Sequence, residues 1–122
     1  LRQAMRLIGA QFVLGEDIAE GLANSKPWAK QGCRFSYDIL GEGARSDAQA
    51  MAYVAAYHEA IGRIGAQAQG MSLFAAPGIS VKLSALHPRY SLSQSDRMLD
   101  ELLPRLKGIL HEAKAHRITV AI

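Results

Sequence analysis

The sequence predicts an α/β fold in which strands and helices alternate along the chain. Three strand-like runs begin near Arg34, Gly78 and Ile118, so that strands recur about every 40 residues and a helical pattern fills each interval. Such alternation predicts parallel strands joined by right-handed helical crossovers. Because three strands cannot close on themselves, we interpret the chain as the opening β-α-β-α-β part of a (β/α)8 TIM-like barrel, preceded by two short helices.

Two short helices are predicted before the first strand. The first covers residues 1 to about 14, in which Ile8 and Phe12 have a helical spacing. The second begins near Glu16, an acidic residue that suits the positive end of a helix dipole. We therefore expect residues 1–32 to form a helical arm leading into the barrel, and residues 33–122 to supply its first three strands and two helices.

The first two strands each alternate apolar and polar side chains. In the first strand, from Arg34 to Leu40, the apolar set is Phe35, Tyr37 and Ile39. In the second strand, which begins at Gly78, the corresponding set is Ile79, Val81 and Leu83. The opposite faces carry Asp38 in the first strand and Lys82 in the second. Because lysine rarely occupies the middle of a buried strand without a partner or a task, the sequence predicts a polar site containing both residues.

Each interval between strands predicts an amphipathic helix. The first helix opens with Ser46-Asp47-Ala48-Gln49, a capping-box spacing. Its predicted apolar stripe consists of Met51, Val54, Ala55, His58, Ile61 and Gly65. We expect His58 to be partly buried and hydrogen-bonded. The second helix has apolar residues from Leu99 to Ala113, and Pro104 is expected to kink that helix or to restart it.

The composition fits one ordinary domain and argues against several classes of protein. The chain has 122 residues, of which 49% are hydrophobic, and a net charge of +3. Its basic residues are interleaved with acids, so nucleic-acid binding gains no support. There is no apolar run of about 20 residues, which a membrane span would need, and no signal-peptide pattern. The single Cys33 excludes an internal disulfide. We therefore expect a cytoplasmic location. The missing initiator methionine and the strand-like final residues suggest a piece of something longer.

Acidic and basic residues are predicted to meet at the mouth of the barrel. Active sites of such barrels form at the carboxyl ends of the strands, where Asp38 and the following Glu42 should lie. An amine held among carboxylates, as Lys82 would be, can bind a substrate carboxylate or carry a proton. The alternative is a structural ion pair between Asp38 and Lys82 that fills the barrel interior.

Other candidate residues carry weaker predictions. After the second strand, Arg89 could bind an anion and Tyr90 could wall a pocket, but turn formation at Pro88 also explains this loop. The four histidines show no ligand spacing joined to acids, so no metal site is predicted. No interpretable Ser-His-Asp or Cys-His order is present either.

Several blocks of sequence carry a resemblance to a known family. They are Met5–Val13, Phe35–Glu42, Gly78–Tyr90 and Leu102–Lys107. In these blocks, and over essentially its whole length, the chain resembles the proline dehydrogenase module of the bifunctional bacterial proline utilization A family. The resemblance implies a distorted (β/α)8 barrel that binds FAD, oxidises L-proline to Δ1-pyrroline-5-carboxylate, and passes electrons to a membrane quinone.

The resemblance also implies roles for three residues. Lys82 corresponds to the active-site lysine that contacts the substrate carboxylate close to the flavin, so it counts as both a catalytic and a cofactor-binding residue. Asp38 corresponds to the acid at the end of the first strand, which we expect to support that lysine. Glu42 corresponds to the acid that pairs with a substrate-binding arginine located after Ile122.

Further partners are implied only for a longer parent protein. Most of the FAD site would lie after Ile122, so the fragment is expected to be inactive alone. NAD would belong to an aldehyde dehydrogenase half, DNA binding to a separate domain, and the quinone would be reached by peripheral association with the inner membrane.

Three alternatives stay open. One is an aldolase-like barrel in which Lys82 forms a Schiff base with a carbonyl substrate. Another is a non-catalytic role in which the two amino-terminal helices act as an interaction arm. For the fold, the alternative is an open doubly wound sheet, although the turn from Gly41 to Arg45 does not match a dinucleotide-binding fingerprint.

Overall fold

The computed structural model describes residue 9 and residues 13–41, 43–90 and 95–122, of which residues 95 and 97 are described by backbone alone. The chain forms two compact units, Leu1–Phe35 and Ser36–Ile122. Of the helix predicted over residues 1–14, most lies outside the described residues.

In the described part of the first unit, helix α1 spans Ile18–Ala29. The side chain of Asp17 caps it by accepting a 2.9 Å hydrogen bond from the backbone N–H of Glu20. The Glu20 carboxylate in turn accepts from the backbone N–H of Glu16 at 2.8 Å. The predicted second short helix is therefore confirmed, and it continues through Pro27.

The second unit is built on a parallel three-stranded sheet, as predicted. Its strands are β1 at Ser36–Asp38, β2 at Gly78–Ser80 and β3 at Val120–Ala121, in the order β1-β2-β3. Both pairs are parallel, and Asp38 is in register with Ser80, which is in register with Ala121. Each crossover contains a long helix, α2 at Asp47–Gln67 or α4 at Ser95–Ala115.

The second strand is shorter than its alternating pattern predicts. β2 ends at Ser80, and a single helical turn, α3, occupies Leu83–Leu86. Lys82 precedes this turn with an extended backbone, so its predicted place in the middle of a strand is wrong. The physical reason is that the carbonyl of Lys82 accepts from the backbone N–H of Ala85 at 3.0 Å, which starts a helical turn in place of further sheet pairing.

Helix α2 begins as the capping box predicts, but its buried face differs from the predicted stripe. The Ser46 hydroxyl accepts from the backbone N–H of Gln49 at 3.2 Å. The buried residues are Ala50, Val54, Tyr57, Ala60, Ile61, Ile64 and Gly65. Met51 is 48% exposed, so the predicted stripe is wrong at that edge. The real stripe is turned toward Tyr57, whose long side chain fills the core.

Helix α4 runs through Pro104 without restarting. Pro104 and Asp100 are both exposed, so water can bond the Asp100 carbonyl that lacks a helical partner. Helices α2 and α4 pack against each other. The largest fully buried side chains of the described residues are Tyr57, Ile61, Ile64, Ile79, Leu86 and Ile109. Among the described residues, no helix is both long enough and apolar enough to cross a bilayer.

Candidate functional site

Asp38 and Lys82 meet at the carboxyl edge of the sheet. Asp38 is the last residue of β1 and pairs with Ser80, the last residue of β2, so the extended chain carries Lys82 just beyond the same edge. The Lys82 ammonium lies 3.3 Å from the Asp38 carboxylate. Their side chains are 40% and 39% exposed, which leaves both charges open to an incoming ligand. An ion pair with this exposure contributes little to stability, at most about 1 kcal/mol.

The backbone of Lys82 is held on both sides of its side chain. Its N–H donates to the phenolic oxygen of Tyr57 at 3.0 Å, and its carbonyl accepts from the N–H of Ala85 at 3.0 Å. Because both main-chain groups are bonded, the start of the lysine side chain has a fixed direction. Only the outer atoms of the side chain remain free to adjust to a ligand.

Tyr57 is the site residue that the sequence reasoning missed. It lies on α2, and its side chain is completely buried. Burial raises the pKa of Tyr57 above its ordinary value of 10.0, and the negative charge of Asp38 adds to that, while the hydrogen bond from Lys82 opposes it. The phenol is therefore protonated at neutral pH. Its position, three residues after Val54 and four before Ile61, was the available signal that it faces the core.

Glu42 lies outside the described residues, so its predicted place at the mouth stays a prediction. The loop around it is nevertheless tied to the lysine side of the site. The backbone N–H of Ala44 donates to the carbonyl of Ser84 at 2.9 Å, which joins the loop after β1 to the turn α3. A side chain on Gly43 would come within 3.3 Å of the same carbonyl, so this approach is close.

The loop after α3 is anchored by His87, which is only 4% exposed. Its Nδ1 accepts from the backbone N–H of Arg89 at 3.1 Å, and its Nε2 lies 2.9 Å from the Glu101 carboxylate. Because Nδ1 is the acceptor for the Arg89 N–H, Nε2 is the nitrogen that donates to the Glu101 carboxylate. This geometry supports a structural role for the loop, in line with turn formation at Pro88, while Arg89 and Tyr90 are exposed.

A polar cleft of about 690 Å³ lies between this loop and helices α2 and α4. Arg105 closes one wall by donating to the carbonyl of Leu86 at 2.8 Å and to the carboxylate of Asp47 at 2.5 Å. Neither Asp38 nor Lys82 lines the cleft, so it is separate from their ion pair.

His58 links the two long helices. Its Nδ1 bonds the Glu112 carboxylate, and both side chains are about one-third exposed. The prediction of a partly buried, hydrogen-bonded histidine is thus confirmed. Within the described ranges, no three residues among His, Cys, Asp and Glu are grouped to hold a metal ion.

Comparison with known proteins gives a consistent result. The family model described as Proline dehydrogenase matches residues 22–122. The bifunctional protein PutA of Klebsiella aerogenes is 51% identical over 119 residues, which cover 98% of this chain and 9% of that protein. The crystal structure of a Bradyrhizobium japonicum proline utilization A variant matches with a TM-score of 0.76 and 49% identity, over 98% of this chain and 12% of that one.

A more distant structure supports the fold alone. Proline utilization A from Bdellovibrio bacteriovorus matches with a TM-score of 0.86 at 22% identity, over 98% of this chain and 14% of that one. The chain thus spans about a tenth of the length of the relatives that it matches. These matches confirm the predicted α/β, TIM-barrel-like architecture and the predicted resemblance. From the family match over residues 22–122, the chain belongs to the proline dehydrogenase family.

Proposed function

We propose that this chain is the opening part of a flavin-dependent proline dehydrogenase, in which Lys82 binds the carboxylate of L-proline. The observation that carries the proposal is the half-exposed pair of Lys82 and Asp38 at the carboxyl edge of a parallel sheet, in a member of this family. Barrel enzymes assemble their sites at this edge.

The residues of the site suit substrate binding and orientation. The Lys82 ammonium has three donors, so it can keep Asp38 as a partner while donating to a substrate carboxylate. Asp38 holds the ammonium in place, and the bonded backbone of Lys82 fixes where the side chain begins. A carboxylate bound in this way has a set position, which brings the ring of proline into a defined orientation.

The proposed reaction oxidises proline to Δ1-pyrroline-5-carboxylate. The ring carbon next to nitrogen that does not carry the carboxylate loses a hydride, the nitrogen loses a proton, and a carbon–nitrogen double bond forms between these two atoms. A bound flavin supplies the hydride acceptor. Lys82 is the described residue that would help to hold the flavin, because its ammonium is a half-exposed hydrogen-bond donor beside the proposed carboxylate site.

Further features of the proposal rest on the family relationship. We propose FAD as the flavin, a membrane quinone as the final electron acceptor, and Glu42 as an acid that helps to close the site. The barrel begins near residue 33 and continues in a longer protein, which also provides most of the FAD site. The 122-residue chain alone is then inactive.

A Schiff-base lyase using Lys82 is less consistent with the geometry. Schiff-base formation needs the Lys82 nitrogen to attack a carbonyl carbon, whereas the structure places that nitrogen in an ion pair with the Asp38 carboxylate at 3.3 Å. Treating the longer protein with borohydride and a carbonyl substrate would distinguish the two chemistries. A covalent adduct on Lys82 would support the lyase.

The proposed function is tested by purifying the longer protein and adding L-proline without oxygen. We expect a bound flavin whose absorbance is bleached by L-proline. A protein that contains no flavin, or whose flavin ignores proline, would contradict the proposal.

A further inference from the structure

We propose that Tyr57 is a positioning residue for Lys82. Its phenol, supplied by helix α2, fixes the lysine backbone and so sets the direction of the ammonium toward Asp38 and the substrate carboxylate. The inference rests on the proposed function, since it assigns a task to Tyr57 in that same site. It adds a residue that lies in the helical layer, outside the strands and loops where site residues are usually sought.

The hydrogen-bond pattern of β2 shows why this contact has consequences. The N–H groups of Ile79 and Val81 donate to carbonyls of Thr119 and Ala121, on the β3 side of the strand. Alternate N–H groups of a strand point to opposite neighbours, so the N–H of Lys82 faces the β1 side. There it donates to the hydroxyl of Tyr57. The phenol thus takes the place of a ladder carbonyl at the residue where regular pairing has ended.

The contact also completes the bonding of the lysine main chain. With the carbonyl of Lys82 bonded to the N–H of Ala85, the Tyr57 hydroxyl is the group that bonds the remaining main-chain polar atom. The Cα of Lys82 is then fixed between the sheet and α3, and its extended backbone (φ −91°, ψ 117°) is maintained. Without the phenol, this short link between β2 and α3 can turn, which moves the ammonium away from Asp38.

Tyrosine suits this task because it combines a buried ring with a polar tip. The ring is fully buried on the core-facing side of α2, and this packing restricts its movement. Its hydroxyl reaches the polar edge of the sheet and keeps its proton, because burial raises the pKa of Tyr57. Phenylalanine at this position would preserve the packing but leave the N–H of Lys82 without its acceptor.

The test is a double-mutant cycle in the longer protein, with Tyr57→Phe, Lys82→Ala and the combined variant. We expect Tyr57→Phe to raise the KM for L-proline about tenfold, with a smaller fall in kcat. In the Lys82→Ala background the same substitution should change KM less than twofold, because Tyr57 acts through the lysine. Ile64→Val is the matched control: Ile64 is fully buried on the same helix, and this variant should lower the melting temperature without changing KM.

The outcomes separate this inference from the proposed function. If Tyr57→Phe raises KM equally in both backgrounds, or leaves KM unchanged as Ile64→Val does, the positioning role is wrong. If Lys82→Ala itself leaves KM unchanged, the proposed carboxylate site is wrong.

A second measurement needs no variant. Amide hydrogen exchange in the unmodified longer protein should show the N–H of Lys82 to be as protected as those of Ile79 and Val81, although it lies beyond β2. Fast exchange at Lys82 would overturn the inference even if Tyr57→Phe failed to fold.

Discussion

The ammonium of Lys82 lies 3.3 Å from the carboxylate of Asp38, although Asp38 ends one strand and Lys82 follows the next. Their meeting is a result of register. In the parallel pair, Asp38 lies opposite Ser80, so two more extended residues bring Lys82 level with the space just beyond β1. The sheet therefore determines where the two charges meet, and screening by water keeps the free energy of their interaction small.

The first prediction concerns the Asp38 side of this pair. Asp38→Asn should change the free energy of unfolding by less than about 1 kcal/mol, because both side chains are well exposed and water screens the pair. Denaturant titration of the longer protein measures this. A loss above about 3 kcal/mol would instead indicate a buried structural ion pair and would favour the barrel-filling interpretation.

The second prediction is a stability change at high pH that depends on Tyr57. Since burial raises the pKa of Tyr57 in the folded chain above 10.0, folding favours the protonated phenol. Its contribution is complete below pH 10.0 and is lost as the pH rises through the folded-state pKa. Tyr57→Phe should therefore reduce the fall in stability that begins above pH 10.0.

Tyr90→Phe is the matched control for the titration, because Tyr90 is exposed. Denaturant midpoints measured across the alkaline range would compare the variants. If Tyr90→Phe and Tyr57→Phe gave the same pH dependence, burial of the Tyr57 phenol would not be its cause.

The third prediction uses two glycines with opposite surroundings. A side chain on Gly78 would strike Thr119, whose carbonyl oxygen would be 2.8 Å from the new carbon, so Gly78→Ala should force β2 and β3 apart. Gly62 is inside α2 with nothing within 4 Å, so Gly62→Ala should stabilise the protein by about 0.5–1 kcal/mol. Thermal unfolding measures both, and a stable Gly78→Ala variant would contradict the close approach at this point.

The fourth prediction concerns the start of α2. Ser46→Ala removes the acceptor for the N–H of Gln49 and should cost about 1 kcal/mol. Ser46→Asp keeps an acceptor there and should retain most of that stability. Denaturant titration measures both variants. No loss in Ser46→Ala, or a loss in Ser46→Asp as large as that in Ser46→Ala, would contradict a stabilising cap at this position.

The strands and their parallel order could be predicted from the sequence. The alternation of apolar and polar residues around Asp38 reflects burial of one face of the strand, and the intervals between strand-like runs are long enough for helical crossovers. The position of Lys82 could not be predicted as well. Apolar and polar residues alternate from Ser80 to Ser84, but a segment this short can either stay extended or enter a helical turn, so the alternation does not distinguish the two. Which occurs is decided by the bond between Lys82 and Ala85, which periodicity does not reveal.

The hydrogen bond between Tyr57 and Lys82 could not be predicted from the sequence for a different reason. A tyrosine on an apolar stripe is expected to be buried, but which group its hydroxyl meets depends on how α2 lies against the end of β2. The contact joins residues from two elements of a crossover, and only the packed structure brings them together. For Pro104, the sequence predicted a kink or a restart of the helix. The restart does not occur, because the exposed Asp100 carbonyl can bond water in place of a helical partner.

The central claim is that Lys82 binds the carboxylate of proline, and the most direct measurement is the KM for L-proline of the longer protein carrying Lys82→Ala. We predict a rise of about 10- to 100-fold, which corresponds to the loss of a charge-assisted hydrogen bond. The melting temperature should change by only a few degrees, because the ion pair is half-exposed. An unchanged KM, or a loss of activity matched by an equally severe loss of stability, would contradict the claim.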